Sequence, residues 1–323
     1  MSQDRPLARS QEPPQHPPSD LTFHNKSVLV TGANSGLGYA AAVKYAALGA
    51  SLLILALAIE REVGEETKTK SKLEIVPLVL ELSSFAPSST ASASASPDQK
   101  LDVVLLSAGV ALPDFRTSAD GYEMTTLVNV LSNTLLALLL LPKLRPAVSS
   151  GETSSPPHLC FLNSLASHVV EPEMLPPSGS GQTLLGRLND RAKFDVTRHY
   201  YLAKLAAWFA IRGMIEHPPQ NIRTRGNVII NACCPGMCRT NMQRDFPLVK
   251  RLMAKVSLLP LSRSAEEGSR SLISATGLGP ESNGKLWRGD DFLRPGEMLD
   301  SERGQHLYRE TWDEILKILK PHL

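Results

Sequence analysis

Tyr200 and Lys204 stand four residues apart in RHYYLAKLAAWFA, a strongly helical stretch, so their side chains share one helix face. A free tyrosine ionises near 10, too high for efficient proton transfer at neutral pH. A cation within about 4–6 Å lowers such a value by roughly one to three units. Lys204 is therefore expected to make Tyr200 a usable acid or base. Taken alone, the Tyr-x-x-x-Lys spacing is also that of an ordinary solvated helix face, and Tyr201 is a rival base three residues before Lys204. Ser164 adds a third group. It ends the apolar run HLCFLNS, and ligands of open parallel sheets bind at the carboxyl ends of strands, which suits a hydroxyl that orients substrate.

A second cluster lies near the start of the chain, in Thr31-Gly32-Ala33-Asn34-Ser35-Gly36-Leu37-Gly38, between an apolar strand and the helical run YAAAVKYAALGA. Glycine permits positive φ in a tight turn and lets backbone approach a pyrophosphate, while the helix start offers unpaired N–H groups and a partial positive charge. Gly32, Gly36 and Gly38 suit those roles, and the spacing differs from G-x-G-x-x-G. After the second apolar run comes Ala58, then Ile59, Glu60 and Arg61. An acid there bonds an adenosine ribose and favours NAD, whereas an arginine pairs with a 2′-phosphate and favours NADP. Arg61 and Glu60 point in opposite directions, and both also read as plain helix-start charges.

Both clusters need a scaffold, and the chain alternates short apolar runs with longer amphipathic ones, which predicts βαβ units and one doubly wound parallel α/β sheet. Strands are expected at Ser27–Val30, Ser51–Leu57, Ile75–Leu80, Asp102–Leu106, Leu159–Asn163 and Asn227–Ala232, with a seventh near Gly284–Trp287. Helices are expected at Gly36–Leu48, Arg61–Lys70, Asp120–Leu144, Phe194–Ile215, Ala265–Ala275 and near Glu302–Leu319. Ser83–Pro97, Val148–Pro157 and His168–Arg191 read as surface loops or lids. The division is a Pro-rich disordered tail over 1–24 and a single domain over 25–323, with a substrate lid at about 168–193 and a substrate-side segment at about 240–323.

With 34 basic and 32 acidic residues and a net charge of +2, the chain has no footprint for nucleic acid or an anionic membrane, so a small-molecule partner is expected. The N-terminus lacks the apolar stretch of a secretory signal, and Leu135–Pro142 is too short to span a bilayer, which predicts a cytoplasmic protein without membrane insertion. Cys160, Cys233, Cys234 and Cys238 read as reduced thiols, and no second ligand pair turns C-C-x-x-x-C into a metal site.

Taken in order, T-G-x-x-x-G-x-G, an asparagine within DGYEMTTLVNVL, a strand-ending serine, Y-x-x-x-K and the P-G-x-x-x-T of CCPGMCRT resemble the short-chain dehydrogenase/reductase family over about residues 26 to 245. The resemblance implies a Rossmann-type fold, an NADP cofactor with NAD as the alternative, and hydride exchange between nicotinamide and a ketone or alcohol carbon. It implies that Tyr200 handles the proton, Ser164 holds the oxygen, Lys204 binds the ribose and tunes Tyr200, and Asn129 holds a water that relays protons to Lys204. Asn34, Ser35, Leu37, Glu81, Ser107, Ala108, Gly109, Pro235, Gly236 and Thr240 complete the implied cofactor site. The chain also departs from the pattern. Leu106-Ser107-Ala108-Gly109 replaces N-N-A-G, Glu81 stands for the usual aspartate, and Ala203 precedes the lysine in place of serine. The stretch PPSGSGQTLLGRLNDRAKFDVTRHYY and the ending GKLW…GQHLYRETWDEILKILK resemble fungal members of secondary metabolism, which implies a bulky, largely apolar substrate. Members commonly pair as homodimers or homotetramers through two long helices, here Asp120–Leu144 and Phe194–Ile215. The altered cofactor positions keep a dinucleotide-sensing or scaffold role open, and the same site also suits a redox-neutral epimerase or dehydratase-like enzyme.

Overall fold

Three chain segments with near-continuous burial, SVLVT, VVLL and HLCFL, form the centre of the sheet, as expected of parallel strands covered on both faces. The computed structural model describes residues 16–57, 73–85, 100–144, 155–220, 222, 228–240, 242, 245–246 and 262–323. The strands are β1 (Ser27–Thr31), β2 (Leu52–Leu57), β3 (Glu74–Val79), β4 (Val103–Leu106), β5 (His158–Leu162), β6 (Ile229–Cys233), β7 (Leu286–Arg288) and β8 (Asp291–Leu293). They form one sheet in the order β3-β2-β1-β4-β5-β6-β7-β8, parallel throughout except for β8 against β7. The order reverses between β1 and β4, so the crevice for a ligand opens at the carboxyl ends of those two strands.

Alternation along the strands feeds two cores. Val28, Val30, Val103, Leu105 and Cys160 face one layer, made by α1 (Gly36–Ala47) and α5 (Ala265–Thr276). Leu29, Val104, Leu106, Leu159 and Phe161 face the other. That second layer holds α2 (Met124–Lys143), α4 (Val196–Glu216) and the C-terminal α7 (Glu302–Leu319), with the short α3 (Leu184–Leu188) and α6 (Glu297–Asp300). Although α2 is long and apolar, 89% of its most apolar 18-residue stretch is buried in the fold, as in a core helix.

Several expectations need correction. The helix read from Asp120 begins at Met124, because Gly121 (φ +83°) closes a turn with Ser118 and the Glu123 carboxylate caps the Thr126 N–H at 2.9 Å. Within α2 the ladder widens to a π turn over Leu127–Ser132, and Asn129 lies in it. The tail expected through residue 24 is shorter among the described residues. Phe23 is fully buried edge-on against Tyr45, with ring centroids 4.8 Å apart. The lid expected at about 168–193 contains the buried Leu184, Leu185 and Leu188 of α3, which share an apolar cluster with α4. Among its described residues, the substrate-side segment expected from about 240 contains α5, β7, β8, α6 and α7, and its Thr240, Met242 and Asp245 line the cleft described below. β8 was not anticipated; it closes a two-residue hairpin on Gly289 (φ +57°) and Asp290 (φ +63°), both left-handed as such a turn requires. The helix expected at Arg61–Lys70 and most of the loops at 83–97 and 148–157 lie outside the described residues.

Candidate active site

A cleft of about 310 Å³ opens at the carboxyl ends of the strands and brings both clusters together. On one wall lie Gly32, Asn34, Ser35, Gly36, Leu37 and Gly38; on the other lie Ser164, Tyr200 and Lys204. Gly32 (φ +65°) and Gly36 (φ +59°) adopt left-handed conformations that a side chain would strain. At Gly38 a Cβ would collide with the Gly32 carbonyl oxygen and the Ser107 hydroxyl, so the turn can close against β4 only with glycine there. Ser35 precedes α1 without a side-chain cap, and no acidic residue stands in the first turn, which leaves its N–H groups and positive end available to an anion.

Ser164 follows β5 and caps a 3-10 turn over Leu165–His168, its hydroxyl accepting from the Ala166 N–H at 3.2 Å. Asn163 ties this position to α4. Its carbonyl oxygen accepts from the Ser164 N–H at 2.8 Å, and its amide donates to the Lys204 carbonyl at 3.4 Å. Tyr200 and Lys204 project from one face of α4, with the Lys204 Nζ 5.8 Å from the Tyr200 ring centroid. Lys204 is buried and donates to the Leu162 carbonyl at 3.1 Å; burial lowers it to about 8. Tyr200 does not show the expected lowering. Its packed surroundings push the phenol up to about 12, against the downward pull of a hydrogen bond from Ser164. The reason is burial: taking the phenol out of water disfavours its charged form, as it does that of Lys204. Tyr201, the rival base, packs against the second-layer core and does not line the cleft.

Asn129 also differs from expectation. Its amide donates to the Val110 carbonyl at 2.8 Å and accepts from the Val110 N–H at 2.9 Å, so both polar atoms of the side chain already brace the loop after β4. One turn on, Asn133 donates to the Ala108 carbonyl at 3.0 Å. The missing asparagines after β4 are offset locally. The Ser107 hydroxyl donates to the Thr31 carbonyl at 2.5 Å and the Ala108 N–H donates to the Thr31 hydroxyl at 3.0 Å, which joins β4 to β1 beside the glycine turn. Glu81 lines the cleft and accepts from the Ser83 N–H at 2.9 Å. Ala108, Gly109, Pro235, Gly236 and Thr240 line it as well, while Arg61 and Glu60 lie outside the described residues. Sequence reading missed Asn163, Val110, Cys234, Met242 and Asp245 as cleft residues. Asn163 and Cys234 were legible in principle, since each sits directly after a strand expected to end at the site.

The geometry has close counterparts. A profile of the short chain dehydrogenase family matches residues 26–156. The short-chain dehydrogenase/reductase ffsI of Aspergillus flavipes is 38% identical over 314 residues, covering 94% of this chain and 88% of its own. The chain belongs to the short-chain dehydrogenase/reductase family. A second member, the short-chain dehydrogenase/reductase phmF of Phaeosphaeria nodorum, is 36% identical, covering 93% of this chain and 88% of its own. The fold of this oxidoreductase family is also that of a Burkholderia cenocepacia short chain dehydrogenase in complex with NADP, at TM-score 0.54 and 16% identity, covering 83% of this chain and 97% of that one. A Burkholderia phymatum family member in complex with NAD scores 0.54 at 20% identity, covering 90% and 96%.

Proposed function

We propose that this family member is an NADP-dependent oxidoreductase that interconverts a ketone and a secondary alcohol on a bulky, largely apolar small molecule. One observation carries the reading: the glycine turn, Ser164, Tyr200 and Lys204, far apart in sequence, line a single cleft. The glycine cradle and the uncapped start of α1 fit the pyrophosphate of a dinucleotide, and the buried Lys204 fits a ribose hydroxyl. When bound, the nicotinamide supplies the hydride donor or acceptor. Ser164 donates a hydrogen bond to the carbonyl oxygen and orients it. Tyr200 gives its proton to that oxygen in reduction and takes it back in oxidation. Asn129 braces the Val110 loop through its side chain, so a relay water would bond its backbone instead.

The exposed Met237 and Met242, on the loop after β6, support an apolar substrate, because Met242 lines the cleft and unbranched thioethers adapt to irregular apolar ligands. NADP rests on Arg61 as the partner of a 2′-phosphate, and a role in fungal secondary metabolism accords with the fungal relatives. The test is a fluorescence titration of purified protein with NADPH and with NADH, followed by a ketone panel with wild type and Tyr200→Phe. Tight NADPH binding, weak NADH binding and a turnover that falls by at least about 10²-fold in Y200F are expected. Binding of neither nucleotide sinks the reading in favour of a scaffold protein.

A further inference from the structure

The loop that leaves β6 supplies Pro235, Gly236, Cys238 and Thr240 to the cleft wall, and something must fix its shape. Pro235 has no N–H, so a polar partner can hold it only through its carbonyl. Gly236 sits at φ +77°, which glycine adopts without strain, so its backbone freedom leaves the shape of the loop to the contacts around it. We propose that Arg263 is the positioning residue that holds this loop in its ligand-binding shape.

Arg263 is 5% exposed, immediately before α5, and it grips the loop at three successive points. Its Nη1 donates to the Pro235 carbonyl at 2.9 Å. Its backbone N–H donates to the Met237 carbonyl at 2.8 Å, and its carbonyl accepts from the Arg239 N–H at 2.8 Å, a parallel bridge opposite Cys238. Its guanidinium lies so close under Gly236 that a Cβ there would meet Nη1 at 2.9 Å. The residue is anchored in turn. Ser264 caps α5 through a reciprocal capping box with Glu267, which fixes the backbone that presents Arg263. One turn along, Gly268 lacks the Cβ that would strike Cys238 and Leu37, so α5 packs directly against both the loop and the glycine turn. A guanidinium stays charged at any relevant pH, and burying it is unfavourable unless its hydrogen bonds are used. One of the guanidinium's hydrogen bonds goes to the loop, and the cation stands beside a cleft proposed to take an anionic cofactor.

The proposal rests on the dinucleotide reading, and its test separates the two. Amide hydrogen exchange of residues 236–240 is measured without ligand in wild type, Arg263→Ala and Arg263→Met, and NADPH and NADH are titrated into all three by fluorescence. The methionine variant keeps the apolar stem under Gly236 and serves if the alanine variant does not fold. Faster exchange confined to the loop and a nucleotide Kd weakened roughly tenfold or more, the size of one charge-assisted hydrogen bond, are expected in both variants. Millimolar guanidinium should restore binding in R263A, where a cavity admits it, and not in R263M. Unchanged exchange in a folded variant, or faster exchange with unchanged Kd, overturns the role of Arg263. A wild type that binds neither nucleotide defeats the dinucleotide reading alone, and the exchange comparison still decides whether Arg263 holds the loop.

Discussion

At the scale of single residues, the burial of Lys204 sets a cost that the fold carries for its site. In the unfolded chain a lysine titrates near 10.5, whereas here burial lowers it to about 8. Between those values the unfolded chain binds more protons than the native one, so stability rises with pH through that window. At neutral pH the penalty stands in full, roughly 3 kcal/mol at most. Lys204→Met should therefore abolish turnover and stabilise the protein by about 1–3 kcal/mol at pH 7 in denaturant unfolding. That advantage should shrink toward pH 10 as wild type gains stability; a variant less stable at pH 7, with a pH-independent gap, contradicts this account. The lysine itself was legible in the sequence, because spacing alone puts it on the face of Tyr200. Its electrostatics were not, because the low polarity that lowers Lys204 and raises Tyr200 comes from α2, β5 and the loop after β6, none of which is local to α4.

At the scale of elements, one buried carboxylate–imidazole contact joins the helices that carry the site. Glu123 caps α2 and His199 precedes Tyr200 on α4; the carboxylate and Nε2 are 2.6 Å apart, with 0% and 3% of their side chains exposed. Burial pushes the Glu123 carboxyl up, but His199 and the helix-start N–H groups outweigh it and hold it below its usual value. A carboxyl lowered in the fold contributes stability that is present above its unfolded value and lost as pH falls through the folded one. Glu123→Ala should cost about 1–3 kcal/mol near neutral pH, since it removes the cap of α2 and leaves a buried imidazole nitrogen without its partner, and the deficit should narrow in acid. Thermal unfolding of both proteins from pH 7 down to 4 checks this, and a constant deficit argues against the pair. Periodicity showed both helices and even their approximate ends, but not this link, because DGYE and RHYY carry no mark of each other. The π turn at Asn129 escaped for a similar reason: it is imposed by the bonds from Asn129 and Asn133 to the β4 loop, a tertiary cause. β8 is different, since Gly289-Asp290 between WR and DFL is a local hairpin signal that the short strands made easy to pass over.

At the scale of the whole molecule, α2 and α4 are the helices through which the resemblance placed subunit pairing, and here the chain's own segments already cover them. An apolar helix face is buried either by a partner or by the same chain. α7 lies along α4, where the fully buried Trp312 occupies the space that a Cβ on Gly213 would need. The Trp312 indole donates to the His217 carbonyl at 3.1 Å, and Tyr308 sits 5.7 Å from the Phe209 ring with the Arg212 guanidinium 4.2 Å above it. α3 adds Leu184, Leu185 and Leu188 to the same layer. α3, part of the segment expected to close over substrate, thereby also helps to cover this helix layer. Light scattering on the purified chain should give a monomer of 35.1 kDa. Trp312→Ala should destabilise it by about 3–5 kcal/mol and, by opening the face of α4, make its apparent mass rise with concentration. A wild-type dimer in which hydrogen exchange protects α4 on association would mean that α7 yields its place to a second subunit, and that the site is built on a shared helix layer after all.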